Sequence, residues 1–419
     1  MDAKRSLADK LKSLGVKTGA ADLPRPKPAE ETKIENLLSG EFRQTRYGES
    51  FVYEQRFPLS QAHGRASLRP ATLPEILGRW AKDERVTELP AEKFIFFDTE
   101  TSGLAGGTGT YAFMVGAGRF DGDEFVLAQF FLRDPSEEPA MLEAMAEFFA
   151  PAEALVSYNG KSFDAPLLTT RYKLHGIPVP FEGYAHIDLL HLARRLWRDR
   201  LASRTLQSIE QHILGVGRTS EEVPGYEIPY LYFDYLRDKD ATPLKGVFYH
   251  NEIDILSLAA LLNHAAAMLD DPFGESVQHG LDVIAIAKLF EDLKEWDEAA
   301  KLYEHGLRYT STGSLQALPE DDFAKAVKRL AVLQRRRGDV EEAVKWWKQA
   351  VEDGHIYAHV ELAKYYEHKT KDHLLAEALT KQALSLVNEH QLPDYVRDHW
   401  IGELSHRLER IQRKINPSK

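Results

Sequence analysis

The feature that most constrains the fold is a short apolar run that ends in two acidic residues. Residues 94–97 are four consecutive apolar residues, and Asp98 and Glu100 follow directly. Such a run predicts a buried strand, the first of three strands that precede alternating helices and strands in an α/β domain. Side chains two positions apart project from the same face, so Asp98 and Glu100 are expected to point together. Adjacent carboxylates repel each other, which favours a bound cation; an acidic loop at a strand end is the alternative.

A second acidic position follows another short apolar strand, predicted over residues 154–157. The next residues, YNGKSFD, contain Asn159, Phe163 and Asp164 and lead into a helical pattern that ends near residue 175. Asp164 is therefore predicted at a helix start, shortly after a strand. Aspartate is a favoured residue at a helix N-terminus, so a purely structural cap is the alternative interpretation.

The third position lies in a long helix predicted from residue 244 to about residue 269. His250 and Asp254 are four residues apart in this helix and therefore share one face. Histidine is the side chain best suited to take up a proton near neutral pH, so His250 is the candidate general base. Tyr249 is a weaker candidate because it lies about 100° away around the helix.

These segments resemble the YprB-type ribonuclease H-like exonucleases of bacteria, which belong to the DEDD superfamily. The resemblance rests on the runs FDTETSGLAGGTGTYAF, YNGKSFDAPLL, HIDLLHLARRLW and VFYHNEIDILSLAAL. It implies a mixed α/β sheet flanked by helices, with metal-ligand roles for Asp98, Glu100, Asp164 and Asp254 and a general-base role for His250. The three residues between His250 and Asp254 are a spacing that the wider superfamily more often shows with tyrosine.

The same resemblance implies an activity: 3′→5′ hydrolysis of phosphodiester bonds in DNA during DNA repair, beside a partner helicase. Two Mg²⁺ or Mn²⁺ ions are the expected cofactors, since both metals prefer the hard oxygen ligands that carboxylates supply. Two alternatives stay open. In the first alternative, the protein is a 3′→5′ exonuclease whose substrate is RNA. In the second, it is a scaffold whose nuclease domain is silent.

Candidate nucleic-acid contacts come from two segments near these acids. They are Asn159 and Lys161 in the second motif, and Arg194, Arg195 and Arg198 in a basic stretch that includes Trp197. Basic side chains bind phosphates and an aromatic ring can stack on a base, although a solvated helix face is an equal alternative. The net charge of −12 argues weakly against nucleic acid, because the predicted metal ligands themselves add to the acidic count.

Composition divides the chain into three parts. Residues 1–45 are rich in proline and poor in apolar residues, which predicts a mobile tail or a docking arm. Residues 46–272 contain the predicted nuclease domain. Residues 273–419 show successive helical patterns whose small-residue and aromatic spacing resembles tetratricopeptide repeats, with a plain helical bundle as the alternative. We expect this helical domain to contact the partner helicase or to restrict which DNA structures reach the site.

Two further features bear on the compartment. The chain has no cysteine, which excludes disulfides and thiolate metal sites. Its first residues lack the apolar core of a signal peptide, and no uninterrupted apolar run reaches about 18 residues. We therefore expect a cytoplasmic protein without a membrane partner.

Overall fold

A mixed β-sheet of seven strands forms the centre of the fold. The computed structural model describes residues 32–103, 109–312 and 318–416, so most of the predicted tail, residues 1–31, lies outside the described residues. The described strands, numbered in chain order, are β1 (Glu41–Thr45), β2 (Gly48–Pro58), β3 (Ala62–His63), β4 (Ala66–Ser67), β5 (Phe94–Thr101), β6 (Ala112–Asp121), β7 (Glu124–Phe131), β8 (Ala154–Ser157) and β9 (Ala185–Asp188). Strands β3 and β4 form a separate two-stranded sheet.

The strand order of the large sheet is β1-β2-β7-β6-β5-β8-β9. Neighbours from β1 to β5 run antiparallel, whereas β5, β8 and β9 run parallel. Strand β5 therefore lies where the antiparallel half of the sheet meets the parallel half, and residues 94–97 are buried in it. This arrangement confirms the predicted mixed ribonuclease H-like sheet.

The sheet begins earlier in the chain than the sequence indicates. Strand β1 pairs along its whole length with β2, from Glu41 opposite Val52 to Thr45 opposite Gly48. Ile34, just before it, is fully buried. The prediction of a mobile tail up to residue 45 is therefore wrong for the described part from residue 32 onward. An edge strand is held through its backbone hydrogen bonds, so its sequence, EFRQT, carries little apolar signal.

Helices cover both faces of the sheet and continue beyond it. The helices that accompany the sheet are α1 (Glu75–Ala81), α2 (Arg85–Glu88), α3 (Glu138–Phe149), α4 (Asp164–Leu174), α5 (Leu189–Trp197), α6 (Leu206–Ile209), α7 (Ile228–Asp238) and α8 (Leu244–Asp270). The C-terminal region consists of α9 (Gly280–Asp292), α10 (Trp296–Thr312), α11 (Glu320–Arg336), α12 (Val340–Glu352), α13 (Ile356–Tyr365), α14 (His373–Glu389) and α15 (Asp394–Ile415). A π-helical turn, Glu210–Leu214, follows α6.

Alternate residues of β5 pack into two apolar cores. Phe94 and Phe96 lie in a core with α5, the second half of α8 and the C-terminal helices. Ile95 and Phe97 lie in the opposite core with α3, α4 and α7. Asp98 continues the row of Phe94 and Phe96, so it is directed to the face of the sheet that the second half of α8 covers.

Helix α8 passes from one core to the other. Val247 and Phe248 near its start belong to the core with α7, whereas Ile255 and Leu258 belong to the core with α5. By length and composition this helix could cross a membrane, but 78% of its most apolar stretch is buried inside the protein. The packing of this helix in both apolar cores accounts for its apolar composition.

The C-terminal helices pack one after another, each against the next in sequence. A helical region after residue 272 is thereby confirmed, while its assignment to the tetratricopeptide class stays a prediction. Helix α9 also packs on α5, and two ion pairs link their surroundings: Arg200 with Asp282 at 2.5 Å and Lys288 with Asp199 at 2.7 Å. The apolar core continues without a break from the sheet to Leu379 in α14.

Candidate active site

Asp98 and Glu100 lie at the C-terminal end of β5, beside its antiparallel neighbour β6. Asp98 is opposite Gly116 and Glu100 is opposite Met114. The pairing becomes irregular between Glu100 and Thr101, which ends the regular ladder directly after the two acids. The two carboxylates therefore occupy the last regular positions of the central strand, on one face, as the alternation predicts.

Asp164 reaches the same strand end through the loop that follows β8. The buried carboxylate of Asp188 fixes this loop by accepting the backbone N–H groups of Asn159 at 2.8 Å and Lys161 at 3.2 Å. Asn159 has a φ of 68°, in the left-handed region that asparagine tolerates better than most residues. The hydroxyl of Thr99 donates a hydrogen bond to the Asp164 carboxylate, which ties the start of α4 to β5.

Helix α8 brings Asp254 close to β5 because β6 has a glycine at the contact. A Cβ atom on Gly116 would lie 2.1 Å from Oδ1 of Asn251. Asn251 accepts a hydrogen bond from Gln129 at 3.0 Å and donates one to Asp98 at 3.4 Å. Residues three apart in a helix share a face, so Asp254 is presented on the same side as Asn251.

The four acids influence one another across a buried space. Burial, followed by the negative charges of Asp254 and Asp164, raises the pKa of Asp98 well above its usual range, and the same causes raise the pKa of Glu100. Burial is also the main cause that raises the pKa of Asp164 and of Asp254. Thr99 hydrogen-bonds Asp164, and Asn251, on the same face of α8 as Asp254, hydrogen-bonds Asp98. The structure therefore brings the four sequence-predicted acids into one cluster.

His250 faces this cluster from α8. Its Nε2 atom lies 3.5 Å from Oδ2 of Asp254 and 3.8 Å from Oε1 of Glu100. Tyr249 is engaged elsewhere, since its hydroxyl oxygen accepts the backbone N–H of Thr219 at 2.9 Å. Of the two candidate bases, His250 is the one directed at the acids.

Three residues of the site carry no recognisable signal in the sequence: Arg218, Glu210 and Glu222. The buried guanidinium of Arg218 donates to both carboxylate oxygens of Glu210, at 2.7 and 2.8 Å, and to Glu222 at 2.8 Å. It also donates to the carboxylate of Asp254. Burial acts to lower the pKa of Arg218, but its hydrogen bonds to Glu210 and the charge of Asp254 outweigh burial and raise the pKa, so the group stays positive.

The acidic cluster fits divalent cations by its charge. Within the described part of the chain, no three acidic or histidine side chains are already arranged to hold a metal ion. However, four neighbouring carboxylates that are mostly shielded from solvent are stabilised by added positive charge, and the single guanidinium of Arg218 balances only part of their negative charge. Carboxylate oxygens are the ligands that Mg²⁺ and Mn²⁺ prefer, so Asp98, Glu100, Asp164 and Asp254 are suited to hold such ions.

Two of the predicted nucleic-acid contacts share a cleft next to this cluster. Arg194 on α5 and Asn159 line an open cleft of about 520 Å³, together with Arg204 and Tyr158. Arg194 and Lys161 are exposed. The loop from Asn159 leads directly to Asp164 at the start of α4.

Arg195 and Arg198 have different surroundings. Arg195 forms an ion pair with Asp292 of α9 at 2.7 Å, so its charge is directed to the C-terminal helices and away from a substrate. Its prediction as a nucleic-acid contact is therefore not supported by its position. Arg198 is 74% exposed, and its nearest ion-pair partner, Asp199, is 3.8 Å away.

A mixed sheet of this strand order, with four acids around the end of its central strand, defines a nuclease domain of the ribonuclease H-like class. The RNase_H superfamily model matches residues 95–266, a span that contains all four acids and His250. Over 346 residues the chain is 34% identical to the "Uncharacterized protein YprB" of Bacillus subtilis (strain 168), covering 80% of each chain. The protein belongs to this YprB family.

Among solved structures, the chain is similar to the family B DNA polymerase from the hyperthermophilic archaeon Pyrobaculum calidifontis. The similarity has a TM-score of 0.31 and 18% identity, and it covers 48% of this chain and 29% of the polymerase. Similarity at that level supports no conclusion about fold or activity.

Proposed function

We propose that this protein is a metal-dependent 3′→5′ exonuclease that acts on DNA. The observation that carries the proposal is the cluster of four carboxylates at the end of β5, one buried and three partly buried, with His250 directed at them. Carboxylates that serve only a structural role are rarely placed together without cations, whereas two-metal sites that hydrolyse phosphodiesters use such a cluster to hold the ions. Two Mg²⁺ or Mn²⁺ ions, when bound, would supply charge stabilisation for the phosphate and a more acidic water.

The residues of the site would then have separate roles in metal binding and in proton transfer. Asp98, Glu100, Asp164 and Asp254 hold the ions, and His250 accepts the proton of the attacking water through Nε2, the ring nitrogen on the side of the acids. Arg194, which lines the same cleft as Asn159, would hold a phosphate of the nucleic-acid strand.

The test uses the exchange of Asp98 for Asn, which removes one charge and almost no volume. Asp98→Asn should lower the rate of Mn²⁺- or Mg²⁺-dependent cleavage on the order of 10³-fold, since metal stabilisation contributes several kcal/mol. Asp123→Asn, the same exchange at an exposed site in the β6–β7 turn, is the matched control and should keep full activity. Undiminished activity of Asp98→Asn would refute the site assignment.

Polarity and substrate are tested with labelled strands of matched sequence. With 5′-labelled DNA, 3′→5′ degradation gives a ladder of progressively shorter labelled products. With 3′-labelled DNA, it releases labelled mononucleotide from the start. The inverse pattern would contradict the polarity, and preferential degradation of the matched RNA would favour an RNA exonuclease. Absence of metal binding in calorimetry with Mn²⁺ would favour a scaffold with a silent nuclease domain.

The sequence resemblance also supports a cytoplasmic role in DNA repair beside a partner helicase, with α9 to α15 as the surface for that partner. Co-purification of a helicase with the full chain, and its loss when exposed residues of α14 and α15 are exchanged, tests this part.

A further inference from the structure

The environment of the His250 ring is asymmetric. Nδ1 lies 2.7 Å from Oε1 of Glu222, a normal hydrogen-bond distance. Nε2 lies on the other side of the ring, 3.5 Å from Asp254 and 3.8 Å from Glu100. An ionised carboxylate can only accept hydrogen bonds, so the short contact with Glu222 requires a proton on Nδ1. In the neutral ring this leaves the lone pair on Nε2, the nitrogen directed at the acidic cluster.

Arg218 holds the Glu222 carboxylate in this position. Its Nη1 atom donates to the same oxygen, Oε1, at 2.8 Å, and the two hydrogen bonds to Glu210 anchor the guanidinium from behind. The Nη1 atom is also 3.2 Å from Nδ1 of His250. Both groups donate to one shared oxygen, so we attribute this longer contact to their proximity and not to a hydrogen bond between them.

We propose that Glu222 is a positioning residue for His250: it holds the proton on Nδ1 and directs the basic Nε2 at the water that is to be deprotonated. This inference rests on the proposed nuclease function and deepens it. A general base must be in the correct tautomer and orientation before the reaction, and a carboxylate behind the ring provides both. The loop that contains Glu222, whose role is not evident from its sequence, thereby becomes part of the catalytic apparatus.

A purely structural role is the alternative to be excluded. Glu222 neutralises Arg218, so its removal could merely disturb the loop. Arg218 keeps both of its hydrogen bonds to Glu210 in a Glu222 variant, which limits that disturbance. Glu221 is the matched control, because it is the exposed acidic neighbour in the same loop.

The first experiment reads the tautomer directly in the full-length, metal-free protein. Long-range ¹H–¹⁵N correlation spectra of histidine-labelled protein at alkaline pH distinguish a protonated Nδ1 from a protonated Nε2, and His250→Gln identifies the His250 signals. We expect protonated Nδ1 in the wild type and in Glu221→Ala. Glu222→Ala should shift the population to the Nε2-protonated form, and Glu222→Asp should restore part of the wild-type pattern. An unchanged His250 spectrum in Glu222→Ala overturns the proposal.

The second experiment follows cleavage of end-labelled DNA. Glu222→Ala should lower kcat by roughly 10- to 100-fold with KM within about twofold, a part of the range for a general base. In the His250→Gln background the same exchange should have almost no further effect, because Glu222 acts through His250. Additive losses of activity in the two backgrounds overturn the proposal even if Glu222→Ala is impaired.

The two experiments distinguish failure of the proposed nuclease function from failure of the proposed role of Glu222. If the wild type degrades no nucleic acid, the proposed function fails, and the tautomer spectra still decide whether Glu222 positions the ring. If the wild type is active and Glu222→Ala is equally active, the nuclease function stands and the role of Glu222 is refuted.

Discussion

Exchange of Gly116 for alanine tests how the helix that carries Asp254 is held against the sheet. The new Cβ atom would lie 2.1 Å from Oδ1 and 2.8 Å from Nδ2 of Asn251, whereas ordinary contacts begin at 3.4 Å. Either the Asn251 side chain swings away or α8 moves outward by about 1 Å. In both cases Asp98 loses its hydrogen bond from Asn251, and Gln129 loses an acceptor in the core.

The expected cost follows from these contacts. Overpacking of a well-packed interior costs about 1–3 kcal/mol. The lost hydrogen bonds add about 1 kcal/mol each, with the 3.4 Å bond to Asp98 at the lower end of that contribution. We therefore expect Gly116→Ala to lower the free energy of unfolding by about 2.5–4.5 kcal/mol. Mn²⁺ binding should also weaken, because in either case Asp98 loses the hydrogen bond that positions its carboxylate.

Urea unfolding and Mn²⁺ calorimetry measure the two effects. Gly402→Ala is the matched control: Gly402 is exposed on α15, no atom lies within 4 Å of its Cβ position, and the exchange should be neutral or stabilise by up to about 1 kcal/mol. Asn251→Ala removes the side chain that the new methyl group meets. The double variant should therefore be more stable than the sum of the single effects predicts, by at least about 1 kcal/mol.

Two results would refute this reasoning. One is a Gly116→Ala protein whose free energy of unfolding lies within about 0.5 kcal/mol of the wild type. The other is strict additivity with Asn251→Ala, which would show that the two positions do not compete for the same space.

Three further predictions concern charge. Burial opposes ionisation of Glu367, but hydrogen bonds from Arg410 and Lys414 outweigh it and lower its pKa to about 2. The stability that Glu367 contributes is complete at neutral pH and is lost as pH falls from about 4.5 towards 2, so acid titration of Glu367→Gln should lack this component. Mn²⁺ at ten times its Kd should stabilise the wild type by about 1.4 kcal/mol in thermal unfolding, and the Asp98→Asn variant not at all. For binding of single-stranded DNA, Arg194→Ala should reduce the slope of log K against log salt concentration by about 0.7, whereas Arg195→Ala should leave the slope unchanged. Equal slopes in both variants would contradict the assignment of Arg194 as a phosphate contact.

The parts of the fold that were predictable have a local cause in the sequence. Four apolar residues before Asp98 can be buried on both sides only in a central strand, and strand alternation then places Glu100 beside Asp98. Helical periodicity similarly placed His250 with Asp254. In each case the two residues are close in sequence, so the periodicity of a strand or a helix is sufficient to place their side chains together.

The parts that escaped prediction depend on contacts between distant segments. Strand β1 is held by backbone pairing with β2, which any polar sequence can provide. Arg218 and Glu222 lie in a loop that only the tertiary structure brings to the site. Nothing in the adjacent sequence distinguishes them from charged residues on the surface. Arg195 lies in a basic stretch whose pattern would suit a phosphate, but its partner is Asp292, almost a hundred residues further on.

The uninterrupted apolar core between the sheet and the C-terminal helices has a practical consequence. A chain that ends at residue 272 would keep every residue of the proposed site, yet it would expose the apolar surface on α5 that α9 now covers. Such a fragment should aggregate and not behave as a minimal nuclease. The innermost of the C-terminal helices are therefore as much a part of the scaffold of the site as the sheet itself.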